Sequence, residues 1–369
     1  MKKKQSRLKS AQKQVEMAIN KTNEKIGELG TYTSQLYDEL STIQELFDDI
    51  RNVPSEKQLE FKELRKIRLN WKQQAEKIES DYKNAVAKNA GMGAVGVGAG
   101  VAVVALGPTA AMGIATTFGV ASTGTAISTL SGAAATNAAL AWLGGGALAT
   151  GGGGIVAGNA FLAIAGPVGW VIAGVALLGS GFLLWKGKSN QKRLEEIFIL
   201  ISKRDVKSYE LAIVEIKERI NRIMDEGQKL NYAIKRIREF GLNYNKMTEA
   251  QQYELGSYLN LMNASTQLLV NPIVGLQPKF DIHDFEQFIS NNKGKFDDKQ
   301  VALIITLSNF LYKINLDEKD KKLLWKSFKN NKKFLSSIEM SKRDFQFTVI
   351  ETVGEALNYK YNLERGCPR

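Results

Sequence analysis

Three short stretches of this 369-residue chain carry residue types that could do chemistry. Gly91-Met-Gly93-Ala-Val-Gly96 has the G-x-G-x-x-G spacing that lets a backbone approach a pyrophosphate. That chemistry needs a strand before the glycines, and the preceding KIESDYKNAVAKN is charged and reads as helix. The surrounding region holds 23 of the chain's 33 glycines, so composition alone accounts for the spacing. Gly187-Lys188-Ser189 has the end of a phosphate loop, but the first glycine of that loop would fall at Phe182. His283 stands beside Asp281 and Asp284 and is the single histidine. A multi-histidine metal site is therefore excluded, and His283 reads as a surface residue. The single cysteine, Cys367, allows neither an intrachain disulfide nor a cysteine metal site. The sequence predicts no enzyme, no metal and no cofactor.

The distribution of charge says more than any motif. Residues 89–185, 97 in a row, contain no Asp, Glu, Lys, Arg or His. All 88 charged side chains fall in the remaining 272 residues, which are about 32% charged. The net charge of +12 is spread along the flanks, with acids interleaved at helical spacing. No zinc finger, stacking platform or basic stripe accompanies it, so nucleic acid is not the expected partner. The basic start, MKKKQSRLKS, is followed by AQKQVEMAINKTNEK rather than by an apolar run, which argues against a cleaved signal.

The uncharged region is apolar enough to suggest a bilayer. Residues 160–185 exceed the roughly 20 needed to span a hydrocarbon core. Trp170 lies within that stretch and Trp185 at its end, where an indole suits the headgroup zone. Residues 91–107 form a shorter apolar stretch before Pro108, and the glycine runs 144–146 and 151–154 suggest a turn between the two. Gly96/Gly100, Gly154/Gly158 and the ridge Ala165, Gly169, Ala173 have the small-residue spacing that lets helices approach closely in lipid. Lys83 and Lys88 precede the region; Lys186, Lys188, Lys192 and Arg193 follow it. Basic residues at both ends place both termini on the cytoplasmic side of the cytoplasmic membrane, with an even number of crossings.

Long helices must position that hairpin. A 4-3 apolar spacing runs from Leu8 through Ile19, Leu36 and Ile43 to Ile50, with Gln12, Thr22 and Thr33 as polar interruptions. It predicts a coiled-coil arm about 65 Å long, broken at Pro54. Leu64, Trp71 and Ile78 mark a second helix. The spacing returns at Val206, Tyr209, Ile213, Ile216, Ile220, Ile223, Gly227, Leu230, Ile234 and Ile237. The simplest closure is an antiparallel intramolecular bundle. Residues 245–369 read as a helical domain with its own core, with Thr248, Asp317 and Ser341 as helix starts. The expectation is an all-α chain: an N-terminal arm (1–88), a membrane-inserting region (89–185), a second arm (186–244) and a C-terminal helical domain (245–369).

This layout, over about residues 1–240, resembles helical pore-forming toxins of the cytolysin A and haemolysin BL type. It also resembles apolipoprotein L-like proteins, which set a glycine-rich hydrophobic hairpin among amphipathic helices. TTFGVASTGTAISTLSGAAATNAALAWLGGGALATGGGG (116–154) looks like a segment of uncharacterised bacterial glycine-rich membrane proteins. The resemblance supplies no catalytic or binding motif. It implies a membrane-inserting, pore-forming or membrane-disrupting effector, soluble before insertion. The alternative is a membrane-anchored coiled-coil scaffold or tether. Implied partners are a lipid bilayer, further copies of the chain or another coiled coil, and an unidentified partner of the C-terminal domain.

Overall fold

A computed structural model describes residues 7–90, 108–118, 188–276, 279–280, 282–292, 296–330, 335 and 341–364. Every regular element among them is a helix: α1 (Arg7–Asp49), α2 (Ser55–Ala90), α3 (Pro108–Phe118), α4 (Lys188–Phe240), α5 (Glu249–Val270), α6 (Ile282–Asn291), α7 (Asp298–Leu311), α8 (Glu318–Asn330) and α9 (Phe347–Glu364). The fold is all-α with long helices.

α1 and α4 pair along their length, and they run parallel rather than antiparallel. Leu8 and Ala11 of α1 share a core with Leu194, Ile197 and Phe198 of α4. Further along, Glu39 accepts a hydrogen bond from Asn231 at 2.6 Å. At the far end the Arg51 N–H donates to the Leu242 carbonyl at 3.0 Å and the Tyr244 N–H to the Arg51 carbonyl at 3.0 Å. Two features stop the helices at this clasp. Asn52 and Gly241 both take positive φ, 63° and 79°. Such turns suit residues whose side chain is absent or short and polar.

Burial follows the apolar spacing. Leu36, Ile43, Ile213, Ile216, Ile220 and Ile234 are all buried, and each adds roughly 1.5–3 kcal/mol of burial free energy. The side chain of Ile19 is outside the described residues. The interruptions Thr22 and Thr33 are buried too, their hydroxyls donating to the Ala18 and Gly30 carbonyls of the same helix. This removes the cost of an unpaired hydroxyl in the core.

Around the pair lie α2, α3 and α5, which complete the first core. A capping box at Thr248 and Gln251 starts α5. The second core gathers α6 to α9 around the N-terminal ends of α1 and α4. Asp317 accepts from the Asp320 N–H at the start of α8. Ser341 caps a turn instead of a helix, accepting from the Arg343 N–H, and α9 begins at Phe347.

The membrane assignment does not survive. Among the described residues no helix is long and apolar enough to cross a membrane. The location in the cytoplasmic membrane, with both termini on its cytoplasmic side, is corrected accordingly. So are the transmembrane, pore-forming and toxin-like descriptions that rest on it. Residues 91–107 and 160–185, with Gly96, Gly100, Gly154, Gly158, Ala165, Gly169, Trp170, Ala173, Trp185 and Lys186, lie outside the described residues. Beyond Asn89 and Ala90 at the end of α2, the part of the uncharged region that is described is α3, 11 residues and about 16 Å long. Its side chains from Ala111 to Thr117 are buried by the protein's own helices. Burial of apolar side chains is what is favoured, and a protein core supplies it as lipid does.

Candidate functional site

The most constrained site among the described residues is the groove that holds α3. α3 carries no charge and packs on α1, α2 and α5. Contact with α1 is backbone to backbone. A Cβ placed on Gly113 would overlap the Ile26 carbonyl oxygen and lie 2.9 Å from the Gly30 nitrogen. A Cβ on Gly30 would overlap the Thr109 carbonyl oxygen and lie 3.0 Å from the Gly113 nitrogen. Only glycine at both positions permits this approach. Thr117 closes the groove: its carbonyl accepts the Ile273 N–H at 2.8 Å, and its hydroxyl donates to the Gly113 carbonyl at 2.7 Å. Ile114, Ala115 and Met112 fill the rest with apolar surface.

Toward the clasp the same bundle encloses a cation. Arg68 of α2 is only 3% exposed. Its guanidinium donates to the Gln44 side-chain oxygen at 2.6 Å and to the Thr266 hydroxyl at 3.2 Å. The Gln44 amide in turn donates to Asp48 at 2.9 Å, and Asp48 also accepts from Arg65 at 3.2 Å. Neutral oxygens thus face the buried charge, with the carboxylate one step away. Burial pushes the Arg68 guanidinium down to about 10.

α4 reaches α8, α7 and α5 through arginines. Arg193 pairs with Asp317 and Asp320 at the start of α8, and both bonds hold it above its usual range. Arg204 donates to the Phe310 and Tyr312 carbonyls, each at 2.8 Å, where α7 ends. Arg219 donates to the Leu268 and Asn271 carbonyls at 2.7 and 2.9 Å, where α5 ends, and burial lowers its pKa. Arg236 pairs with Glu254 near the start of α5. Arginines at helix C-termini satisfy carbonyls that lack intrahelical donors. Arg219→Met should therefore cost about 1–2 kcal/mol in urea unfolding. Exposed Arg222→Met should be nearly neutral, and equal losses in the two variants would refute the capping role.

The residues picked from sequence fall differently. Arg193, expected beside a membrane, is engaged with α8. Lys83 and Lys88 lie in the last turns of α2 and Lys188 at the start of α4, their side chains outside the description; Lys192 is exposed. Gly91, Gly93 and Gly96 are outside the described residues, and helix α2 runs up to Ala90 directly before them. His283 is exposed on α6, 4.0 Å from Glu286. Among the described residues no group of three His, Cys, Asp or Glu could hold a metal. An open groove of about 440 Å³ between α4 and α5 is lined by Tyr232, Tyr258, Leu261 and Lys229, with the Tyr258 phenol raised by burial and by its bond to Glu254.

Sequence reasoning passed over Gly30, Gly113, Arg68 and Asp205. A usable signal existed for two of them. Arg68 sits at the core-facing spacing between Leu64 and Trp71, and Asp205 between Ile201 and Tyr209. A charge on an apolar stripe is a departure that calls for a partner. No protein family, no curated protein and no solved structure matches this chain.

Proposed function

We propose that the protein is a non-catalytic helical scaffold whose paired helices α1 and α4 hold two helical units at a fixed separation and keep the charge-free helix α3 docked. The observation that supports this most is that one parallel helix pair contributes to both cores. A rod shared in this way couples the C-terminal unit to the clasp without any intervening linker. The apolar spacing of α1 and α4 is used up inside the chain, so partners must use other surfaces, such as those of α6 to α9.

A spin label at exposed Arg238 and another at exposed Lys319, in a Cys367→Ser background, test the rod. Lys319 lies beside the Arg193 end of α4, so the labels are separated by about 65–70 Å along the helix. A scaffold gives one narrow distance distribution near that value. A broad or bimodal distribution overturns the reading. So does dye release from liposomes by the purified wild-type chain, which would favour the membrane-disrupting alternative.

A further inference from the structure

We propose that Asp205 and Arg204 form a proton-responsive joint between the paired long helices and the C-terminal helical unit. The place is defined by packing. Asp205 lies on α4 between Ile201, which belongs to the second core, and Tyr209 and Ala212, which belong to the first. Its side chain is fully buried. One carboxylate oxygen, Oδ1, accepts from Arg204 Nε at 2.9 Å and from Nη2 at 2.7 Å. The other, Oδ2, meets no hydrogen-bond donor among the described residues. A buried carboxylate left half-paired is costly when charged and much less so when neutral.

Arg204 carries that cost to the C-terminal unit. Its remaining nitrogen, Nη1, holds the Phe310 and Tyr312 carbonyls, and its guanidinium lies 4.2 Å from the Tyr312 ring centre. One side chain therefore answers both to the buried acid and to the end of α7. Among the described residues the other ionisable groups at the joint come from the C-terminal unit: Tyr312, and Tyr361, which accepts from the Lys313 N–H and feels both Arg204 and Glu364. From α1, Ala11 and Val15 enter the neighbouring cores, while Lys13 and Gln14 are exposed. Among the described residues Arg204 is the charge that acts on Asp205.

The sign follows from burial. Desolvation, only partly offset by Arg204, pushes the Asp205 carboxyl up to about 6. In an opened joint the carboxyl meets water and returns toward the ordinary value of about 3.9. The closed joint thus holds its proton more tightly than the open one. The support for closure is complete below about pH 4 and is lost as pH rises through about 6. Opening should become about tenfold more frequent between pH 5 and pH 8. Helices α2 and α5 hold neither residue of the pair and serve as the reference.

Hydrogen exchange on the full chain at pH 5 and pH 8, corrected for intrinsic rates, tests this. In the wild type, amides of α7 and α9 should show about tenfold more opening at pH 8, while those of α2 and α5 stay level. Asp205→Asn should keep the pH 5 protection at both values. Equal opening of the wild type at the two pH values overturns the proposal, as does an unchanged pH response in Asp205→Asn. Should that variant fail to fold, a carboxyl-carbon NMR titration of wild-type Asp205 replaces it. A midpoint near 4 would overturn the proposal and a midpoint near 6 would support it.

Discussion

Gly113→Val should cost about 3 kcal/mol or more in urea unfolding and should make α3 the first site of limited proteolysis. Overpacked cores usually lose about 1–3 kcal/mol because side chains shift to make room. Here the obstacles are the Ile26 carbonyl and the Gly30 nitrogen, which belong to a helix backbone and cannot rotate away. α3 must leave the groove or α1 must bend. Gly30→Val should cost a similar amount, since its Cβ meets the Thr109 carbonyl on the other side of the same contact. The two losses should not add, because once the helices have parted the second valine meets nothing. Gly27→Ala is the control. Nothing lies within 4 Å of its Cβ position, so it should gain about 0.5–1 kcal/mol from helix propensity alone. If Gly113→Val and Gly27→Ala behave alike, α3 does not dock as described.

Gln44→Leu should be almost as damaging, at about 3 kcal/mol, although it adds apolar volume to a core. The variant removes the 2.6 Å acceptor of Arg68 and leaves the guanidinium with the Thr266 hydroxyl. An uncompensated buried charge typically costs about 3–5 kcal/mol. Arg68→Met, by contrast, should fall within about 1 kcal/mol of wild type, because it removes the charge together with its desolvation cost. The double variant should resemble Arg68→Met, giving a large coupling between two residues that are 24 apart in sequence. The ordering is what matters. Stability measured in the reverse order, with Arg68→Met far worse than Gln44→Leu, would mean that the charge itself is favourable where it lies.

Several elements could be read without a structure because their cause is local. The apolar stripe through Leu36, Ile43, Ile216, Ile220 and Ile234 forces these residues away from water in any arrangement, and all are buried. The Thr248 box starts α5 because a hydroxyl and an amide three residues apart satisfy each other's backbone donors. Pro54 stands directly before α2 and marks that boundary, because a proline ring does not fit inside a helix. The direction in which α1 and α4 pair was not legible. A 3.5-residue repeat is the same read from either end, so the parallel arrangement emerges only in contacts such as Glu39 with Asn231.

The candidate site was less legible still. Gly30 follows Gly27 by three residues in a helix with nothing to set the two apart, and Gly113 stands in a region so rich in glycine that no one of them is conspicuous. Their importance arises from each other, and they are 83 residues apart. Arg68 and Asp205 did depart from the pattern around them, but whether a charge on an apolar stripe is neutralised, relayed or left half-paired depends on what the neighbouring helices bring. By itself, then, the sequence determined that this chain is helical, which faces of its long helices are buried, and that residues 89–185 carry no charge. What buries Ala111 to Thr117 was a tertiary matter. The hydrophobic effect depends on the area removed from water and is indifferent to what removes it. Lipid and a helical groove therefore satisfy the same uncharged sequence, and the meeting of Gly113 with Gly30 shows the groove taking α3.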